Sequence, residues 1–207
     1  MLKRAPQGFL IAFARRKSLR SHGFTLIEIL IVISIIALLS SLILVAVQKA
    51  RKSANEAIVK TEVSSLAQAL EQYLQEESEY PGMSKKIAAD VNQFPDLYNA
   101  LFGERRPNGP GGRSAPYMKI EEKKVVVWDN DTDTYVPCTR EQLRNPKVTK
   151  YLVDPWGNPY IYRANKGRKR EDFMHNVQAA DIYSLGPNSR DDTAEGSEAD
   201  NDDIGNW

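Results

Sequence analysis

The 207-residue chain has one cysteine, Cys138, and two histidines, His22 and His175. A lone thiol closes no intramolecular disulfide and makes no CxxC redox or zinc pair, so stability must come from packing or from a bound ion. Without Cys and His near one another, zinc also lacks its usual ligands. A surplus of one charge sign is missing too: 28 basic residues against 27 acidic ones leave a net charge of +1. That balance excludes a nucleic-acid-binding surface spread over the whole chain. Gly111-Gly112 has no GxGxxG or GxxxxGK pattern around it, so it is not a phosphate loop. Neither histidine has a serine or cysteine nucleophile motif beside it. No catalytic residue can be named, and an enzyme is not expected.

The next absence is local. From Phe24 to Val47 the chain has no Gly, Pro, Lys or Arg, and its one ionisable side chain is Glu28. A helix of that length crosses a hydrocarbon core of roughly 30 Å. A cleavable secretory signal has an apolar region of only about 7–15 residues, which this run exceeds. The first 23 residues carry Lys3, Arg4, Arg15, Arg16, Lys17 and Arg20 and no acid. The positive-inside rule therefore puts the N-terminus in the cytoplasm and everything after Lys49 on the far side, which in a bacterium is the periplasm. A carboxylate in hydrocarbon costs roughly 2.5–3.5 kcal/mol, so Glu28 needs a partner or an interface. A cut between Gly23 and Phe24 would create an α-amine one helical turn away. In its own chain that amine sits at the positive end of the helix dipole, so a neighbouring helix's carboxylate is its better partner. Such a geometry describes subunits staggered in a bundle.

Beyond the span, apolar residues recur at Val59, Val63, Leu66, Leu70, Tyr73 and Leu74, with Lys52, Glu56, Lys60 and Glu71 opposite. This predicts an amphipathic helix over 48–79, continuous with the span, that stops at Tyr80-Pro81-Gly82. Asp96–Phe102 reads as a short helix and Arg105–Arg113 as an exposed loop. Lys124–Trp128 and Thr134–Pro137 flank Asp129-Asn-Asp-Thr-Asp133 as a hairpin. That turn starts like a calcium loop, but Thr134 and Arg140 stand where an EF-hand needs glycine and a carboxylate. Asp154–Tyr162 is a tight turn feeding an aromatic strand, Asp181–Leu185 alternates like another strand, and Lys166–Arg170 is a basic loop.

The last 22 residues read GPNSRDDTAEGSEADNDDIGNW, with seven acids and no base between Asp191 and Asp203. Alone, these carboxylates repel one another and favour disorder. A hard divalent cation reverses that, because calcium takes six to eight oxygens from carboxylates, amides and main-chain carbonyls.

Arg20-Ser-His-Gly-Phe-Thr-Leu-Ile-Glu28 resembles the class III leader junction of type IV pilins and pseudopilins. Asp154-Pro-Trp-Gly-Asn-Pro-Tyr, Asp181-Ile-Tyr-Ser-Leu-Gly-Pro and Asn201-Asp-Asp-Ile-Gly-Asn-Trp207 are similar to signature segments of the major pseudopilin of type II secretion. The resemblance implies an α+β, type IV pilin-like fold: a long N-terminal helix packed on a small antiparallel sheet, with a C-terminal cation-binding loop. It divides the chain into a cleaved leader, 1–23, a transmembrane and assembly helix, 24–47, and a periplasmic head, 48–207. It implies cleavage after Gly23 and methylation of Phe24 by a prepilin peptidase, and registration of subunits by Glu28. It also implies one calcium ion on the Leu185 carbonyl, Asn188, Asp202, Asp203 and main chain near Asn206. Many family members have aspartate where this chain has Asn188, so another acid such as Asp191 could complete the set. A proline usual late in the apolar helix is absent, and residues 83–148 lie outside the resemblance.

The function implied is a structural subunit of a periplasmic pseudopilus, a helical homopolymer held in the inner membrane by a single pass. Its implied partners are further copies of itself, minor pseudopilins, the inner-membrane assembly platform, the prepilin peptidase and the membrane, with no nucleic acid. The alternative is a surface type IV pilin for adhesion, motility or DNA uptake.

Overall fold

The computed structural model describes residues 24–85, 91–102, 116–165, 174–196 and 201–207. The leader with Gly23, the Arg105–Arg113 loop and the Lys166–Arg170 loop lie outside the described residues. In chain order the elements are α1 (Leu26–Glu77), α2 (Phe94–Phe102), β1 (Val125–Asp129), β2 (Thr134–Pro137), α3 (Arg140–Arg144), β3 (Tyr151–Leu152), β4 (Ile161–Ala164), β5 (Ala180–Ser184), α4 (Asp192–Glu195) and β6 (Ile204–Gly205). The chain forms two compact units, 1–47 and 48–207.

In the first unit, α1 begins with a reciprocal cap. The Thr25 amide and hydroxyl each donate to Glu28 Oε2 at 2.8 Å, and the Glu28 amide donates back to Thr25 Oγ1 at 3.2 Å. This satisfies donors that a helix start otherwise leaves open. The side chains that follow, from Leu26 to Val47, are exposed, and an 18-residue window there has a mean hydropathy of 3.1. Two of its three serine hydroxyls turn back on the helix: Ser34 donates to the Leu30 carbonyl and Ser41 to the Leu38 carbonyl, both at 2.7 Å. The helix is thus long and apolar enough to cross a membrane.

In the second unit, the stripe read from the sequence is the core face of α1. Val59, Val63, Leu66, Ala69, Leu70 and Tyr73 are all buried, and Ala67 and Leu74 pack on the same core. The core is completed by Phe94, Leu97 and Leu101 of α2 and by Tyr160, Tyr162 and Ile182 of the second sheet. Glu62 lies among these core positions of α1. Its carboxylate accepts from the Tyr160 hydroxyl at 2.6 Å and from the Lys124 ammonium. Helix α1 ends with Ser78 in the left-handed region (φ 64°), before the expected Tyr80-Pro81-Gly82 stop.

The expected hairpin is present, with Val127 opposite Val136 and Asp129 opposite Thr134. Asp129 folds its own turn: Oδ1 accepts from the Asp131 amide at 3.1 Å and Oδ2 from the Thr132 hydroxyl at 2.8 Å. Where one small sheet was expected there are two antiparallel ones, ordered β2-β1-β3 and β4-β5-β6. The reason lies between β3 and β4. Pro155 and Pro159 each lack an amide donor, so the stretch from Tyr151 to Ala164 cannot run as one strand. It breaks at the Asp154–Asn158 turn and sends its halves to different sheets.

Candidate functional site

The C-terminal loop leaves β5 at Ser184 and is pinned at once. Asp154, 5% exposed, accepts from the Ser184 hydroxyl at 2.6 Å and from the Trp156 and Asn158 amides at 2.9 Å. Burial pushes the Asp154 carboxyl above its ordinary range, against the pull of those donors. Asn158 Nδ2 then holds the Gly186 carbonyl at 2.9 Å. Gly186 itself has φ 64°, and a Cβ there would run into the main-chain oxygen and carboxylate of Asp202. Only glycine permits both the turn and that approach.

Strand β6 returns the chain to β5, pairing Tyr183 with Gly205 and Ser184 with Ile204. This register carries Asp202 and Asp203 beside the start of the loop. The Asn206 side chain locks it: Oδ1 accepts from the Ile182 amide at 3.0 Å and Nδ2 donates to the Ala180 carbonyl at 2.9 Å. Leu185 follows directly on β5, half-buried. The Asn188 amide donates to Asp202 Oδ2 at 3.1 Å, and its side-chain Nδ2 donates to Asp192 Oδ2 at 2.7 Å.

Three carboxylates converge: Asp192, Asp202 and Asp203 each offer an oxygen within 4.8 Å of the others. The Asp202 and Asp203 Oδ1 atoms and the Thr193 hydroxyl are buried without a hydrogen-bond partner. Burial pushes the Asp203 carboxyl up to about 6 against the pull of Thr193, and the charges of Asp191 and Asp192 push the same way. Orphaned, mutually repelling, buried oxygens in one small volume are a donor set that fits a hard divalent cation. The sequence named Asp202, Asp203 and Asn188 but not Asp192, which lies in a four-residue helix too short to leave a hydrophobic period. Asp191, its named neighbour, points elsewhere. Its carboxylate accepts from Arg163 Nη2 at 2.9 Å, the Tyr183 hydroxyl at 2.7 Å and the Ala194 amide at 3.0 Å. Of the other named residues, Phe24 is exposed just ahead of α1 and Glu28 is in the Thr25 cap.

A family model described as the prokaryotic N-terminal methylation motif matches residues 18–44, and one described as type II secretion system protein G matches residues 130–207. The chain is similar to the type II secretion system core protein G of Pseudomonas aeruginosa, 28% identical over 188 residues that cover 91% of this chain and 96% of that one. The corresponding protein of Klebsiella pneumoniae is 26% identical over 91% of this chain and 95% of its own length. That of Vibrio cholerae is 25% identical over 93% and 95%. The two matches and these relatives support a major pseudopilin of type II secretion. The protein G match begins at residue 130, inside the 83–148 segment that the sequence resemblance left out. A pseudopilin is a structural component, so the candidate site is not a catalytic one.

Proposed function

We propose that this pseudopilin is a structural subunit of a periplasmic pseudopilus that stacks through residues 24–47 and is stiffened by one calcium ion in its C-terminal loop. The observation that carries the reading is the joining, in one chain, of an exposed apolar helix bearing a single carboxylate to a head matched by type II secretion protein G. Prepilin peptidase cleaves after Gly23 and methylates Phe24, which frees the helix start. The span holds the subunit in the inner membrane, with the N-terminus cytoplasmic and the head periplasmic. Glu28, held by Thr25 in the isolated chain, meets the Phe24 amine of an adjacent copy in the filament. Minor pseudopilins and the inner-membrane assembly platform are the further partners. The curated relatives from Pseudomonas aeruginosa, Klebsiella pneumoniae and Vibrio cholerae are each named for type II secretion, which favours the pseudopilus over a surface adhesive or motility pilus.

Calcium would be held by the Leu185 carbonyl, Asn188, Asp202, Asp203 and main chain near Asn206, and when bound it supplies the positive charge that the converging carboxylates lack. Gly186 lets Asp202 close on the loop base, and Asn206 fixes the returning strand.

The test is Glu28→Ala. It is expected to leave membrane insertion and leader cleavage intact while abolishing crosslinked multimers of the subunit in cells that carry the secretion apparatus. Normal filaments from this variant would remove the registration role, and failure to insert would show that Glu28 serves the span itself.

A further inference from the structure

The buried surroundings of α4 carry more than the family's ligand set. We propose that the Asp191–Asp192–Thr193 turn is a second arm of the cation site, in which Asp192 is a ligand and the trio of buried Arg163 and Tyr183 with the half-buried Asp191 is the clamp that positions it. This rests on the calcium reading above.

Asp192 is only 3% exposed, and the hydrogen bond described for its carboxylate comes from a neutral amide, Asn188 Nδ2. No lysine or arginine pairs with it among the described residues. A buried carboxylate held by one neutral donor is unfavourable unless a cation joins it. Thr193 points the same way independently. It is 5% exposed, its amide donates to Asp203 Oδ2 at 2.7 Å, and its buried hydroxyl stands beside Asp203 outside hydrogen-bonding geometry. The turn thus brings one carboxylate and one open hydroxyl to the pair at 202–203. Asn188 contributes no charge, and Asp192 restores a third carboxylate to the site.

A four-residue helix does not hold its own orientation. Asp191 provides it. One carboxylate oxygen takes the Arg163 guanidinium, and the other takes the Tyr183 hydroxyl while capping Ala194. Arg163 also donates to the Tyr183 hydroxyl and stands 5.5 Å over the Tyr183 ring. Arg163 on β4 is 1% exposed and Tyr183 on β5 is fully buried, so the clamp is rooted in the second sheet. With both oxygens engaged, Asp191 orients the turn and leaves ligation to its neighbour.

The experiment is calorimetric titration of the full-length chain in detergent with calcium chloride after chelator treatment, paired with melting in chelator, for the wild type, Asp192→Asn and Tyr183→Phe. Asp192→Asn is expected to bind calcium at least about tenfold more weakly while melting no lower than the wild type in chelator, since it removes a repelling charge. Tyr183→Phe is expected to lose about 10- to 100-fold in affinity, the range found when a group behind a metal ligand is removed. A clamp that served stability alone would lower the chelator melting temperature of Tyr183→Phe and leave its calcium affinity unchanged; that result overturns the positioning role. Wild-type affinity in Asp192→Asn overturns the ligand role. A wild type that binds no calcium overturns the calcium reading and this assignment with it.

Discussion

Removing Asp202 and Asp203 together should erase a calcium-dependent rise in melting temperature and do little else. In the head, three carboxylates face one another and two of their oxygens are buried without donors. A ligand bound only by the folded state stabilises it by about 2.7 kcal/mol at a hundredfold excess over its dissociation constant. For a unit the size of residues 48–207, each kcal/mol moves the melting temperature by about 2–4 °C, so calcium should raise it by roughly 5–11 °C. Magnesium at the same concentration should do much less, because it keeps its waters and demands a stricter octahedron. In chelator, Asp202→Ala/Asp203→Ala loses the acceptors of the Asn188 and Thr193 amides but also loses the mutual repulsion, so the two effects oppose. The assay is thermal unfolding of the full chain in detergent, followed by circular dichroism in chelator, calcium and magnesium. Equal melting of the wild type in chelator and calcium would refute the reasoning, as would a calcium shift that survives in the double variant.

Tyr160→Phe removes a 2.6 Å hydrogen bond from a fully buried phenol to the Glu62 carboxylate. Hydrogen bonds to charged groups contribute about 1.5–3 kcal/mol, so the variant should melt roughly 3–12 °C lower, and an unchanged melting curve would show that Lys124 alone satisfies Glu62. Burial, with smaller effects from Cys138 and Glu122, pushes the Tyr98 hydroxyl from an ordinary value of 10.0 up to about 12, and burial also pushes Tyr160 and Tyr183 upward. These folded-state values lie above the unfolded one. Their stabilising contribution is therefore intact below about pH 10 and is lost as pH rises toward 12. Denaturant unfolding across that range should show stability falling with pH, with phenolate absorbance from these tyrosines appearing together with unfolding; their smooth titration in the folded protein would contradict the burial argument.

Long-range order was most legible where one physical pattern repeats. The spacing of Val59, Val63, Leu66, Leu70 and Tyr73 marks the core face of α1 because helical period and burial coincide over four turns. The β1–β2 hairpin and β5 were readable from alternation bounded by turn residues. The shortest elements were not, although the helix expected at Asp96–Phe102 is present as α2. Strands β3 and β6 have two residues each and exist through pairing with partners distant in sequence. Helix α3 carries its signal in a Thr139–Gln142 capping box and not in any apolar period. In the candidate site, adjacent aspartates at 202–203 were conspicuous, whereas the division of labour between Asp191 and Asp192 was hidden. It depends on Arg163 and Tyr183, which sit 28 and 8 residues earlier in the chain.

The contact between Gly186 and Asp202 has a consequence for how such a loop tolerates substitution. Sixteen positions apart in sequence, the two share a space that admits the aspartate only while position 186 has no side chain. The nearest approach is to the main-chain oxygen of Asp202 and Gly186 has φ 64°, so replacing Gly186 must shift the backbone at 202, whereas replacing the aspartate side chains leaves the need for glycine in place. The glycine thus belongs to the closure of the loop, and the acidic pair to what the closed loop can hold.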